Sequence, residues 1–185
     1  PALADDVAQV SVGSGSVTVT AGGTYDVDAA TKLVDQINAV REAAGLQKLS
    51  WSSSLQVLAQ TRAAEVAYMG SAAPAAPSQA AAENIVMSTS SADLTALVSD
   101  WLSDNGTSNY QNVVGSSTAV GISVFTADDG TLAVVAEFGA DDAVQATPLN
   151  GHQTIVLNVA PSDLSAKLES DTPQLEVGGT ASLSA

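Results

Sequence analysis

No cysteine occurs in this chain of 185 residues. That one absence removes disulfide frameworks, thiol catalysis, iron–sulfur clusters and cysteine-ligated zinc together. Basic residues are also scarce: 5 Lys and Arg stand against 20 Asp and Glu, a formal net charge of −15. A field of that sign repels phosphate backbones and anionic headgroups, which need cationic surfaces to dock. Nucleic acid is excluded as a partner. No run reaches the roughly 18 apolar residues of a membrane-crossing helix, so the expectation is a chain that is not membrane-spanning. Histidine occurs once, as His152, and aromatics make up 4% of the sequence. Imidazole clusters and aromatic sugar platforms are therefore poorly supplied.

What is present is abundant Ala, Val, Ser and Thr, enough for one closely spaced aliphatic core with a smaller appendage. An acidic, cysteine-free, Ser/Thr-rich composition fits an exported bacterial protein, secreted or displayed on the cell surface. The opening Pro1-Ala2-Leu3-Ala4-Asp5-Asp6 fits the remainder left by a signal peptidase, or an arbitrary edge. The expected partner is an extracellular ligand that the sequence does not name.

Along the chain, residues 7–24 alternate apolar and polar positions, as in Val17-Thr18-Val19-Thr20, and Gly13-Ser14-Gly15 supplies a hairpin turn. A phosphate loop there would need a following helix and a basic residue. Three helices come next. The first carries Leu33, Val34, Ile37, Val40 and Ala44 on one face, with Asp28 to cap it and Gly45 to stop it. The second follows cap candidates Ser52 to Ser54 and aligns Leu55, Leu58, Ala59, Arg62, Ala63 and Val66. The third, with Ser90 and Asp93 placed like a capping box, aligns Leu94, Leu97, Val98, Trp101 and Leu102 and ends by Gly106. Two apolar runs then flank Asp128-Asp129-Gly130, a hairpin turn rather than a calcium loop, since further oxygen ligands at set spacing are missing.

From residue 141 the character changes to a linker, a strand within residues 153–160, and a strand pair around Gly178-Gly179. Three regions are expected: an N-terminal β segment over 1–26, a main domain over 27–140 and a C-terminal β segment over 141–185. The last stretch resembles the opening of a bacterial immunoglobulin-like repeat and could lead into a stalk. The terminal strands are too short to bury a core alone, so they pair with each other or form an added small sheet.

Five pieces carry a wider resemblance: LVDQINAVREAAGLQKLSWSSSLQVLAQTRAAEVA (Leu33 to Ala67), AENI (Ala82 to Ile85), VSDWLSDNG (Val98 to Gly106), VGISVF (Val120 to Phe125) and AEFG (Ala136 to Gly139). In this order they resemble the CAP superfamily of cysteine-rich secretory, antigen 5 and pathogenesis-related 1 proteins, in its bacterial SCP-like form. The resemblance implies an α+β fold: an α-β-α sandwich with a central antiparallel sheet, here with flanking β segments at both termini. It also implies a central cavity lined by two histidines and two acids, which binds zinc or another divalent ion in some members. Glu83 matches the acid of the family's Glu-Asn motif, and Asp104 matches the second acid, three residues after the helix Trp. Ala72 stands at the first histidine position, and Thr107 or Asn109 at the second, depending on the alignment of the loop. Both histidines are replaced.

Glu83, Asp104 and Asn109 are thus the cavity candidates. Two carboxylates with amides and hydroxyls do not select zinc, so no metal and no cofactor is expected. Paired carboxylates can perform acid–base work when their environments separate their pKa values, which leaves a secreted hydrolase of cell-wall or peptide material using Glu83 and Asp104 as the alternative. A Ser-His-Asp site lacks its Gly-x-Ser-x-Gly motif. The favoured expectation is a non-catalytic binding or spacer module of a surface protein. In it Glu83 is a structural anchor, because a buried carboxylate must find donors whatever else it does. Arg62 is expected to pair with a nearby acid.

Overall fold

Short local signals set the two long helices. In the structure, a computed structural model that describes residues 8–13, 16–69, 80–89, 93–104, 106–140, 145–159, 169–170 and 180–184, helix α1 spans Val27–Ala43. Its cap is Asp26, two residues before the expected Asp28: Asp26 has extended backbone and accepts from the Ala29 N–H at 2.8 Å. Asp28 falls in the first turn, where its charge favours the helix dipole. Gly45, at φ +74°, follows the helix end as expected. Helix α2, Ser53–Met69, starts on Ser52, whose Oγ accepts from the Leu55 N–H at 3.4 Å.

The expected third helix is two single turns, α3 (Leu94–Leu97) and α4 (Ser99–Leu102), separated at Val98. Asp93 caps α3, accepting from the Thr95 N–H. A further helix, α5 (Ser108–Val113), occupies what reads in sequence as a loop.

Among the described residues nine strands form one sheet. Its centre runs β4 (Ala82–Ser88), β6 (Leu132–Gly139), β5 (Ala119–Ala127) and β2 (Ser16–Tyr25), all antiparallel neighbours. The β5–β6 turn falls on Asp128-Asp129-Gly130, with Gly130 at φ +88°. The two-residue β3 (Ser50–Trp51) adds to β5 in parallel.

Each face of this sheet is covered. On one, Ala59, Ala63, Ala64 and Val66 of α2 pack on Tyr25, Phe125, Ala133 and Val135. On the other, Leu33 and Ile37 of α1, Trp101 of α4 and Val113 of α5 pack on Val120, Ile122, Val134 and Phe138. This is the α-β-α layering. The alanines of α2 let it lie close: a Cβ on Gly121 of β5 would fall 2.0 Å from the backbone nitrogen of Gln56.

The terminal strands join the same sheet. β1 (Ala8–Gly13) forms a hairpin with β2, paired to its end at Gly13 and Ser16. β7 (Gly151–Val159) pairs with β2 from Val17 to Tyr25, and β9 (Thr180–Ser184) pairs with β1 and with β8 (Glu169–Ser170). N- and C-terminal strands therefore pair with each other, and β2 carries that pairing into the centre. The expected partner strand before Gly178 lies outside the described residues.

Buried polar groups fix the connections. Arg41 is 4% exposed and donates to four main-chain carbonyls: Nε to Gln47 at 2.8 Å, Nη1 to Val113 at 2.7 Å and Gly115 at 3.0 Å, and Nη2 to Ser117 at 3.3 Å. Nearby, the Asn38 amide brackets Leu49 as a strand neighbour would, accepting from its N–H at 2.8 Å and donating to its carbonyl at 3.1 Å.

Candidate functional site

Strand alternation places Glu83 with Ile85 and Met87 on the α2 side of β4, and Ala82, Asn84 and Val86 on the other. Its side chain is 2% exposed. Arg62, from the middle of α2, reaches down to it, with Nε 3.4 and 3.5 Å from its two carboxylate oxygens. The same guanidinium donates through Nη1 to Glu65 Oε2 at 3.3 Å. The expected pairing of Arg62 with an acid is observed, and Glu83 is one of two such acids.

Directly opposite Glu83 in the β4–β6 register stands Glu137, 1% exposed. Sequence reasoning passed over it as part of a strand end. A signal was there: it is the one charge in the run Leu132 to Gly139. Burial first, and the charge of Glu83 second, push the Glu137 carboxyl up to about 8, against the pull of Arg62. Its Oε2 is buried with no hydrogen-bond partner among the described residues, as are Gln56 Nε2 and Ser123 Oγ. All three sit around Gly121, which pairs with Glu137 across the strands and lies beneath Gln56.

On the opposite face, amides join β4 to α5. Asn84, fully buried, donates through Nδ2 to the Asn109 carbonyl at 2.9 Å. Asn112 Nδ2 donates to Asn84 Oδ1 at 2.8 Å and to the Glu83 carbonyl at 3.2 Å. Asn109 is thus tied to the strand that carries Glu83, while the Glu83 carboxylate points to the other side of the sheet. Asp104 is exposed, and its Oδ1 accepts from the Gly106 N–H at 3.4 Å. Thr107 caps α5 by accepting from the Tyr110 N–H.

Compared with known families, residues 34–138 match the cysteine-rich secretory protein family, CAP. The chain belongs to the CAP family. No curated protein matches it by sequence. Among solved structures it is similar to an outer surface protein from Borrelia burgdorferi, at 17% identity and a TM-score of 0.53, over 65% of this chain and 99% of that one. At that identity the likeness concerns the fold. The hookworm platelet inhibitor is also similar, at 22% identity and a TM-score of 0.45, over 79% of this chain and 86% of that one.

Two features of this CAP chain involve residues past the matched ones. His152, at the start of β7, has Nε2 3.0 Å from Oδ1 of Asp128 in the β5–β6 turn. Gly22 makes room for the pair, since a Cβ there would fall 2.0 Å from Asp128 Oδ2. A cleft of about 310 Å³ opens between α2 and β7, with Tyr25, Ile155 and Leu149 in its lining. Gln60 in its wall already holds Leu149, accepting from its N–H at 2.8 Å and donating to its carbonyl at 2.7 Å. Among the described residues no three or more His, Cys, Asp and Glu side chains group as a metal site, and no helix is long and apolar enough to cross a membrane. Ala72 lies outside the described residues.

Proposed function

We propose that this CAP domain is a non-catalytic binding or spacer module of an extracellular bacterial surface protein, its family cavity no longer a metal cage. One observation carries the reading: the Glu83 carboxylate is sealed beneath α2 and ion-paired with Arg62, so the acid of the Glu-Asn motif holds a helix to the sheet instead of facing a ligand. The remaining positions agree. Asp104 braces its own loop, and Thr107 and Asn109 belong to the first turn of α5, where imidazoles would be needed. The fold likeness to an outer surface protein supports display at a surface. Residues 27–140 serve as the CAP unit. The segments 1–26 and 141–185 serve as flanks whose described strands brace it through the sheet. A partner of such a module is neutral or cationic, because the net charge of −15 disfavours an anionic one.

Thermal melts with and without Zn²⁺, Ca²⁺, Mg²⁺ and Mn²⁺ test this on wild type and Glu83→Gln. The expected outcome is no ion-dependent change in either protein, with the variant less stable by about 1 kcal/mol or more for its lost charge-assisted bonds. A bound ion at hundredfold excess over its dissociation constant would add about 2.7 kcal/mol. Such a gain in wild type, absent from the variant, would make the cavity a live metal site and overturn the reading.

A further inference from the structure

Glu83 and Glu137 face one another on adjacent strands, in register, on the side of the sheet that α2 covers. Like charges directly opposite on a sheet are destabilising even at a wet surface, and both of these are buried. Among the described residues, the charged groups around Glu137 come from two elements. From α2 come Arg62 and Glu65, bonded to each other, and from β4 comes Glu83, bonded to Arg62. Next to Glu137, β5 places Gly121 and Ser123 on this face, and the first turn of α2 places Gln56. One guanidinium is thus shared between Glu65 and Glu83 before Glu137 is counted. Fully ionised, the two facing carboxylates would be two buried negative charges side by side, with Oε2 of Glu137 left without a hydrogen-bond partner among the described residues.

We propose that the Glu83–Glu137 pair holds a single proton between its two carboxyls, and that this proton makes the docking of α2 on the sheet a pH-sensitive clamp. With the proton in place, one carboxylate answers Arg62 and the other carboxyl is a neutral acid. That acid also gains an O–H donor, in a patch where Gln56 and Ser123 are polar neighbours. When the proton leaves, two buried anions face each other across the strands and the seam loosens. The two carboxyls titrate as a pair, and the elevated Glu137 is the member through which the pair is read.

The direction follows from linkage. A carboxyl that titrates near 4.5 in the unfolded chain and near 8 in the folded one keeps its proton only in the folded state between those values. Its contribution to stability is complete below about pH 4.5 and is lost as pH rises toward about 8. The effect on the folding equilibrium is up to about tenfold per pH unit inside that window.

The test is urea unfolding of wild type and Glu137→Gln at steps from about pH 4.5 to about pH 9. Mutual repulsion among the surface acids acts on both proteins alike, so the comparison isolates the clamp. The folding constant of the variant, relative to wild type, should rise with pH by up to about tenfold per unit and level off above about pH 8. A ratio constant across the range would overturn the proposal. Infrared spectra of wild type serve independently of whether the variant folds. A protonated carboxyl band must persist at neutral pH and vanish at alkaline pH; its absence at neutral pH would also overturn the proposal.

Discussion

Two arginines sit in the two layers that sandwich the sheet, and opposite kinds of partner hold them. Arg41, under α1, donates to the carbonyls of Gln47, Val113, Gly115 and Ser117. Arg62, on α2, donates to the carboxylates of Glu65 and Glu83. Carbonyls do not titrate, so the first arrangement fixes the chain path between α5 and β5 at every pH. Carboxylates do, so the second is adjustable. Both guanidiniums are bonded away from most water, but only the carboxylate partners can take up protons.

The sharpest way to break that comparison is Arg41→Met. It strips a charged donor from four carbonyls at once, at an expected cost of roughly 3–5 kcal/mol in urea unfolding. The cost should be the same at about pH 5 and at about pH 8, because no partner titrates there. A loss under about 1 kcal/mol would mean that solvent replaces the guanidinium freely and that the carbonyl cage is incidental.

Arg62→Met comes next and should behave differently. Removing it leaves the acids beneath α2 without their cation, at an expected cost of roughly 2–4 kcal/mol under alkaline conditions. In acid the cost should shrink, since Arg62 is what lowers the proton affinity of Glu137 and a protonated Glu137 needs no counter-ion. Equal costs at both ends of the pH range would erase the distinction between the two arginines.

Those contrasts also mark how far the sequence reaches. The long helices, the Asp128-Asp129-Gly130 turn and the terminal strands announce themselves locally, through periodicity and turn chemistry. The family resemblance does so through five ordered pieces. The helix α5 does not, because six residues have little helical stability of their own. It is held by Arg41 at its last carbonyl and by Asn84, which accepts from its Asn112 side chain and donates to the Asn109 carbonyl, both partners remote in sequence. The break at Val98 is equally quiet, because its apolar stripe continues through both turns. For the site, Glu83 is legible from the family's Glu-Asn motif and the pairing of Arg62 from a cation on an otherwise apolar helix face. Glu137 is legible as the one charge in its strand. What makes it matter is that β4 and β6 set it against Glu83, and register between strands about fifty residues apart leaves no trace in either strand alone.

The smallest expected effect belongs to an exposed bonded pair, His152 and Asp128. It too links sequence-distant elements, the start of β7 and the β5–β6 turn, and it holds the chain's one histidine. Exposure separates it from Arg62: its side chains are 60% and 42% exposed, against 15% and 2% for Arg62 and Glu83. Water screens such a pair and ordering two side chains offsets most of the attraction, so His152→Gln should change stability by less than about 0.5 kcal/mol. Repeating the measurement in about 1 M salt, where the Debye length falls to about 3 Å, should remove what remains. Were the variant instead to lose as much as Arg62→Met, exposure would not be what ranks these ion pairs. The strength of the Arg62 seam would then have to come from its position between helix and sheet rather than from burial of its charges.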